Sequence, residues 1–214
     1  MRILFIVLLL GSSACATAQG YDYTNFEANR PQSILVLPPL NASPEVEAPG
    51  SWLSTVTRPL AERGYYVFPV HVVAAYMRDN GLPTAGEMHN VGLAKIDEVL
   101  GADAVLYTQI EEWGSSYFVV STQVRVTLSY RLVHVKTGEI LWEGTRSEVS
   151  SSDNGGGGGG AGLLGALIGA VVSQIANSLT DPSRPLAEQL NWSAFHDRRS
   201  GLLPGPYLPP AQSR

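Results

Sequence analysis

The chain has 214 residues, a single cysteine, only 15% charged residues and a formal net charge of −5. The acidic balance excludes a nucleic-acid binder, which needs a concentrated basic surface, and one cysteine excludes an intramolecular disulfide. The length holds one domain of about 150 residues plus tails, enough core to fold without disulfide or metal.

Ile3 to Leu10 are uninterrupted apolar residues preceded only by Met1 and Arg2, and Gly11-Ser12-Ser13-Ala14 lead into Cys15. So short a run cannot cross about 30 Å of hydrocarbon, so it reads as a secretory signal. The stretch ending in Cys15 resembles a bacterial lipobox, with Ser12 standing where that box usually carries Leu. The resemblance implies that Cys15 is acylated and opens the mature chain, and Ala16 after it implies sorting to the outer membrane. An ordinary cut after Ala14, Ala16 or Ala18 is the other reading of the same residues. Removing residues 1–14 takes away Arg2 and no acid, leaving 13 basic against 19 acidic residues, a charge of −6.

Residues 15–31 show no helical or strand period and read as a lipid-anchored tether. The α/β domain spans 32–150. Ile34-Leu35-Val36-Leu37, stopped by Pro38-Pro39, predicts a strand buried on both faces. A helix follows Pro49-Gly50-Ser51 with Trp52, Val56 and Leu60 on one face, kinked or broken at Pro59. Tyr65 to Val70 predicts a second strand, joined to the first by a right-handed parallel crossover. A helix from His71 to Arg78 stops at Asn80-Gly81, and Thr84-x-x-Glu87 forms a capping box for the next. Val91, Leu93, Ile96, Val99 and Leu100 give a helical apolar face ending at Gly101, and a third strand starts at Asp103–Tyr107.

From Phe118 to Leu132 the even positions are mostly apolar (Val120, Val124, Val126, Leu128, Tyr130) and most odd ones polar (Ser121, Gln123, Arg125, Thr127, Ser129, Arg131). This predicts a long strand with one dry and one wet face. Lys136–Glu139 is a turn, and Ile140–Gly144 returns antiparallel. The fold class is therefore α/β with a mixed sheet: parallel strands first, a long antiparallel C-terminal hairpin last, and helices on the flanks.

A Gly/Ser-rich linker occupies 151–160. The apolar to amphipathic helical segment 161–196 follows, with Gly162, Gly165 and Gly169 close to one helical face. Small residues at that spacing let helices approach closely. Three readings stay open for its apolar part: packing on its own sheet, self-association or partner packing, or dipping into lipid. Leu186, Leu190, Trp192 and Phe195 form a short amphipathic piece beyond it. The Pro-rich stretch 197–214 reads as an unstructured tail.

The segments Ser33–Asn41, Arg63–Val70, Leu100–Tyr107 and Leu132–Gly144 together resemble an uncharacterised bacterial outer-membrane lipoprotein family, typified by a neisserial surface lipoprotein studied as a vaccine candidate. That resemblance covers nearly the whole mature chain. A looser one, over about 33–149, is to CsgG-like lipoproteins of the curli secretion channel and to the N-terminal domain of TolB. It implies a fold, not a chemistry. Members of the first family are often encoded beside a CsgG-like lipoprotein, which implies a cell-envelope assembly. CsgG-like channels insert long amphipathic hairpins in this domain, and the sequence offers no extra pair of alternating segments.

No catalytic, metal or cofactor set is expected. His71, His89, His134 and His196 are far apart and read as surface or core-edge residues. Glu111 and Glu112 are neighbours, so on a regular strand they point to opposite faces. The six-glycine run lacks the Gly-Lys-Ser/Thr of a phosphate loop. The expected function is that of a non-enzymatic binding or assembly component, lipid-anchored through Cys15 at the outer membrane and facing the periplasm or the cell exterior. Its expected partners are the membrane, other envelope lipoproteins or copies of itself, with Gly162, Gly165 and Gly169 as the helix-packing contacts. The alternative is a homo-oligomeric subunit of an envelope transport or secretion channel.

Overall fold

The computed structural model describes residues 21–118, 121–151 and 181–208. Cys15, the glycine-spaced segment with Gly162, Gly165 and Gly169, and most of the linker lie outside the described residues.

The described chain runs α1 (Thr24–Asn29), β1 (Ser33–Val36), β2 (Leu40–Asn41), α2 (Ala48–Glu62), β3 (Tyr66–Val67), α3 (Val70–Asp79), α4 (Ala85–His89), α5 (Leu93–Leu100), β4 (Ala104–Phe118), β5 (Ser121–His134), β6 (Ile140–Ser151) and α6 (Ser183–His196). One six-stranded sheet has the order β3-β1-β4-β5-β6, with β2 also on β4. β1 pairs in parallel with β3 and β4, and β4-β5-β6 is an antiparallel meander. The mixed α/β sheet is as the sequence predicts.

Pro38-Pro39 shows why β1 and β2 are two strands. Val36 pairs with Leu106 and Leu40 with Gln109, so both strands run along one edge of β4. Prolines have no N–H for the ladder, so pairing lapses between them.

The sheet separates two apolar layers. On one face Ile34, Val36, Leu106, Ile110 and the even residues Val124 to Leu132 pack under α1, α2 and α6. On the other, Leu35, Leu37, Val105 and Val135 pack against α3, α4 and α5. Tyr130, Trp142 and Phe195 meet edge-on or tilted at 5.4–5.9 Å in the first layer.

Four features depart from the sequence reading. Pro59 does not break α2, which continues to Glu62. Pro59 gives up only its own backbone bond back to the preceding turn, and the helix ends one turn later at Glu62. β4 continues past Tyr107 to Phe118 and pairs along its whole length with β5, so the dominant hairpin is β4–β5 and the alternating strand begins at Ser121. A bulge between Ile110 and Glu112 shifts the period by one, so the buried residues pass from Ile110 to Trp113.

The tether is shorter than the composition suggests. Phe26 is 3% exposed in the core, the Glu143 amide donates to Tyr21 Oη at 2.8 Å, and Tyr23 donates to the Gly201 carbonyl. Three aromatics within six positions give this segment enough apolar area to bind the sheet edge, although it lacks a period. The described part of the Pro-rich stretch, through Leu208, likewise packs on the body. Leu202 is fully buried, and Gly205 and Tyr207 donate to the Arg63 and Gly64 carbonyls at 2.9 and 3.0 Å. A side chain on Gly205 would meet the Gly64 carbonyl oxygen at 2.2 Å, so this close approach requires glycine. Backbone bonding to a neighbouring loop needs no helix, which is why prolines do not prevent it.

Candidate functional site

The second helical layer covers only part of its face of the sheet. α3–α5 pack on the β1 side, and the odd-numbered face of β5, with its partners on β4 and β6, stays open. Directly opposed residues form polar rows there: Tyr107–Arg131–Glu143, Gln109–Ser129–Thr145 and Glu112–Thr127–Ser147. Where these rows meet α4 lies a groove of about 420 Å³, lined among others by Leu40, His89, Tyr107, Gln109, Arg131 and Thr145.

Each lining side chain has a local reason for its place. The predicted capping box forms: the Glu87 amide donates to Thr84 Oγ1 at 3.3 Å, and the Thr84 amide to Glu87 Oε2 at 2.9 Å. It starts the short helix that ends on His89. His89 Nε2 lies 2.8 Å from the Pro38 carbonyl. A carbonyl only accepts, so Nε2 carries the proton and Nδ1 remains an acceptor. Burial, aided by the Arg131 charge, pushes His89 below its ordinary value of 6.5, opposed by the Pro38 bond. The ring is therefore neutral at pH 7.

The His89 ring meets Tyr107 edge-on at 5.2 Å, and the Arg131 guanidinium lies 5.7 Å from the centre of the Tyr107 ring. Burial raises the Tyr107 phenol, which stays a protonated donor. Arg131 makes no ion pair among the described residues, although Glu143 is its cross-strand neighbour. The two ion pairs among the described residues, Arg58–Glu62 and Lys95–Glu98, are exposed helix-surface pairs elsewhere. Ser129 Oγ and Thr145 Oγ1 share a hydrogen bond of 3.0 Å on the floor.

The bulge changes the expectation for Glu111 and Glu112. Gln109 Nε2 donates to Glu111 at 2.9 Å and Thr127 Oγ1 to Glu112 at 2.6 Å, so both carboxylates bond to residues of the open face. An extra residue in one strand suspends the alternation that would separate them.

The other histidines stand apart from the groove. His134 bonds Thr137 at 3.0 Å in the β5–β6 turn, His196 stacks on Trp192 at 4.5 Å, and His71 is exposed on α3. No group of three or more His, Cys, Asp or Glu side chains has metal-binding geometry among the described residues. The sequence-stated contacts Cys15, Gly162, Gly165 and Gly169 lie outside the described residues. The groove itself is absent from the sequence reading. Its one sequence signal is the wet face of β5, where Ser129 and Arg131 already stand in register; that α4 borders them depends on tertiary packing.

Residues 21–207 match the family described as "Putative lipoprotein GNA1162-like". The chain is 41% identical over 207 residues to "Putative lipoprotein NMB1124/NMB1162" of Neisseria meningitidis serogroup B, covering 95% of this chain and 94% of that one. It is similar to the crystal structure of lipoprotein GNA1162 from Neisseria meningitidis, with a TM-score of 0.57 and 43% identity, covering 69% of this chain and all of that one. On a match across its whole folded part, the chain belongs to the GNA1162-like lipoprotein family.

Proposed function

We propose that this lipoprotein is anchored in the outer membrane through acylated Cys15 and acts as a non-enzymatic binding and assembly component of a cell-envelope complex. The observation that carries the reading is the open groove beside α4, in which Arg131 and Tyr107 present donors with no protein acceptor among the described residues. Such convergent unused donors suit recognition of a polar partner group. The same groove supports binding over catalysis. On its floor the Ser129 and Thr145 hydroxyls bond each other and the His89 Nε2 proton goes to Pro38, so among the described residues neither of these hydroxyls is bonded to the histidine as a nucleophile would be to its base. A CsgG-like lipoprotein is the first partner to test.

The test is photo-crosslinking in cells from a reactive residue at Ser129 or Thr145. The expected result is a discrete adduct with an envelope protein, lost when Arg131→Glu reverses the groove charge. Absence of any adduct from both positions defeats the groove as a recognition surface. In the same cells Cys15→Ala is expected to lose the acyl mass and leave the membrane fraction; retention with unchanged mass defeats the anchor. The alternative, a homo-oligomeric channel subunit, draws on the long β4–β5 hairpin. That hairpin buries Trp113, Val124 and Val126 in its own core, so it supports a channel less than a free hairpin would.

A further inference from the structure

We propose that the folded body lies directly on the bilayer, with the side formed by Tyr21, α1 and the 197–207 strap against the lipid headgroup layer. This rests on the lipid anchor at Cys15 proposed above. The described chain begins at Tyr21, held by the Glu143 amide at 2.8 Å and packed 4.8 Å from Tyr23. Tyr23 in turn donates to the Gly201 carbonyl, and Phe26 enters the core. Five residues separate Cys15 from Tyr21, and the six Cα-to-Cα steps across them reach at most about 20 Å. A tether running to residue 31 would reach about 55 Å.

The difference decides the geometry. An ordered body of roughly 150 residues has a radius of gyration near 15 Å and is therefore about 40 Å across. A tether half that length cannot let the body turn over. The half of the surface opposite Tyr21 is kept off the membrane, and the side around Tyr21 is kept on it.

That side has a composition suited to headgroups. Arg30, Arg198 and Arg199 are exposed, and Tyr207 is 62% exposed. Asp22 and Glu27 are exposed on the same side, and Asp197 engages the Arg199 and Ser200 amides at 2.6 and 3.0 Å, so three acids balance the three arginines and the side carries no net charge. A groove lined by Phe26, Arg30, Leu203 and Pro206 joins α1 to the strap. Aromatic and cationic side chains are those that settle at a membrane interface. Tyr21 sits at the β6 edge, and the strap carries this side across to Gly64 just before β3, whereas α3 packs through Val73 and Met77 on the opposite face of the sheet from Phe26 and Leu202. The exposed Val72 and Tyr76 of α3 therefore face away from the lipid.

The test uses the full acylated chain, in which an introduced cysteine is the only free thiol. Arg198→Cys and Pro204→Cys mark the near side and Val72→Cys the far side, each carrying an environment-sensitive fluorophore. The proteins are bound to phosphatidylethanolamine/phosphatidylglycerol vesicles that contain a headgroup spin-labelled lipid. Quenching at 198 and 204 is expected to exceed that at 72 several-fold. Inserting about twenty Gly/Ser residues between Ala18 and Gln19, roughly 25 Å of added reach, is expected to shrink that difference. Equal quenching of near and far labels on protein that floats with the vesicles overturns the proposal while leaving the anchor intact. Failure to float, with no acyl mass on Cys15, overturns the anchor and this orientation with it.

Discussion

His89 owes its chemistry to where α4 ends. Its ring bonds Pro38 and meets Tyr107; withdrawal from water, with the Arg131 charge nearby, holds its titration below 6.5 against the opposing Pro38 bond. In the unfolded chain it protonates at the ordinary value, so below that pH the unfolded state binds more protons than the native one. The stabilisation is therefore complete above 6.5 and is lost as pH falls from 6.5 through the lower folded value. His196, also depressed mainly by burial, acts with the same sign. The urea midpoint is expected to fall as pH is lowered from about 7 to 5, and His89→Gln is expected to flatten that slope. A pH profile of the variant parallel to that of the parent would count against His89 as a contributor.

Helix α6 shows what an element needs beyond an apolar stripe. Leu186, Ala187, Leu190, Ala194 and Phe195 are buried at helical spacing, and of the four residues that mark the amphipathic piece in the sequence, three enter the core: Leu186, Leu190 and Phe195. Trp192 is half-buried instead, between His196 at 4.5 Å and the Arg58 guanidinium at 5.8 Å. The link illegible in sequence is Asn191. Tyr130 Oη donates to Asn191 Oδ1 at 2.8 Å and Asn191 Nδ2 donates to Thr55 Oγ1 at 2.9 Å, tying β5, α6 and α2 through buried groups. Asn191→Ala leaves the buried Tyr130 hydroxyl without its acceptor and takes one donor from Thr55 Oγ1, which still donates to the Trp52 carbonyl at 2.8 Å, and is expected to cost about 2–3 kcal/mol. Tyr130→Phe keeps the ring contacts with Trp142 and Phe195 and is expected to cost about 1–2 kcal/mol. Urea unfolding of the two variants measures the difference; equal losses would show that Asn191 acts through packing alone. The same lesson holds for β4, whose alternation is hidden by the bulge at Glu111.

At the scale of the molecule, the chain on both sides of the glycine-rich stretch builds one core. A truncation before Gly155 removes Leu186, Leu190, Phe195 and Leu202, all buried in the layer under the sheet. At about 1.5–3 kcal/mol each, that loss is on the order of 6–12 kcal/mol, comparable to the whole stability of a typical domain. The truncated chain is expected to lack a cooperative urea transition, whereas the full chain shows one. A cooperative transition in both would mean that α6 is dispensable. Light scattering aimed at self-association through Gly162, Gly165 and Gly169 therefore needs full-length variants, such as bulky substitutions at those glycines.

The sequence by itself determined the elements whose signals are local: the β1 apolar run, the Thr84 capping box, the Gly101 helix stop and the period of β5, each set by residues within a few positions of one another. It also carried the family resemblance, since those same local segments recur in order. Only the tertiary structure decided that Tyr21–Asn29 and Gly201–Leu208 belong to the folded body, that β4 pairs with β5 beyond its bulge, and that His89, Tyr107 and Arg131 share one groove. These outcomes depend on contacts between residues far apart in sequence. A hydrogen bond from Glu143 to Tyr21, or from Gly205 to Arg63, leaves no periodic mark on either partner's own stretch of chain.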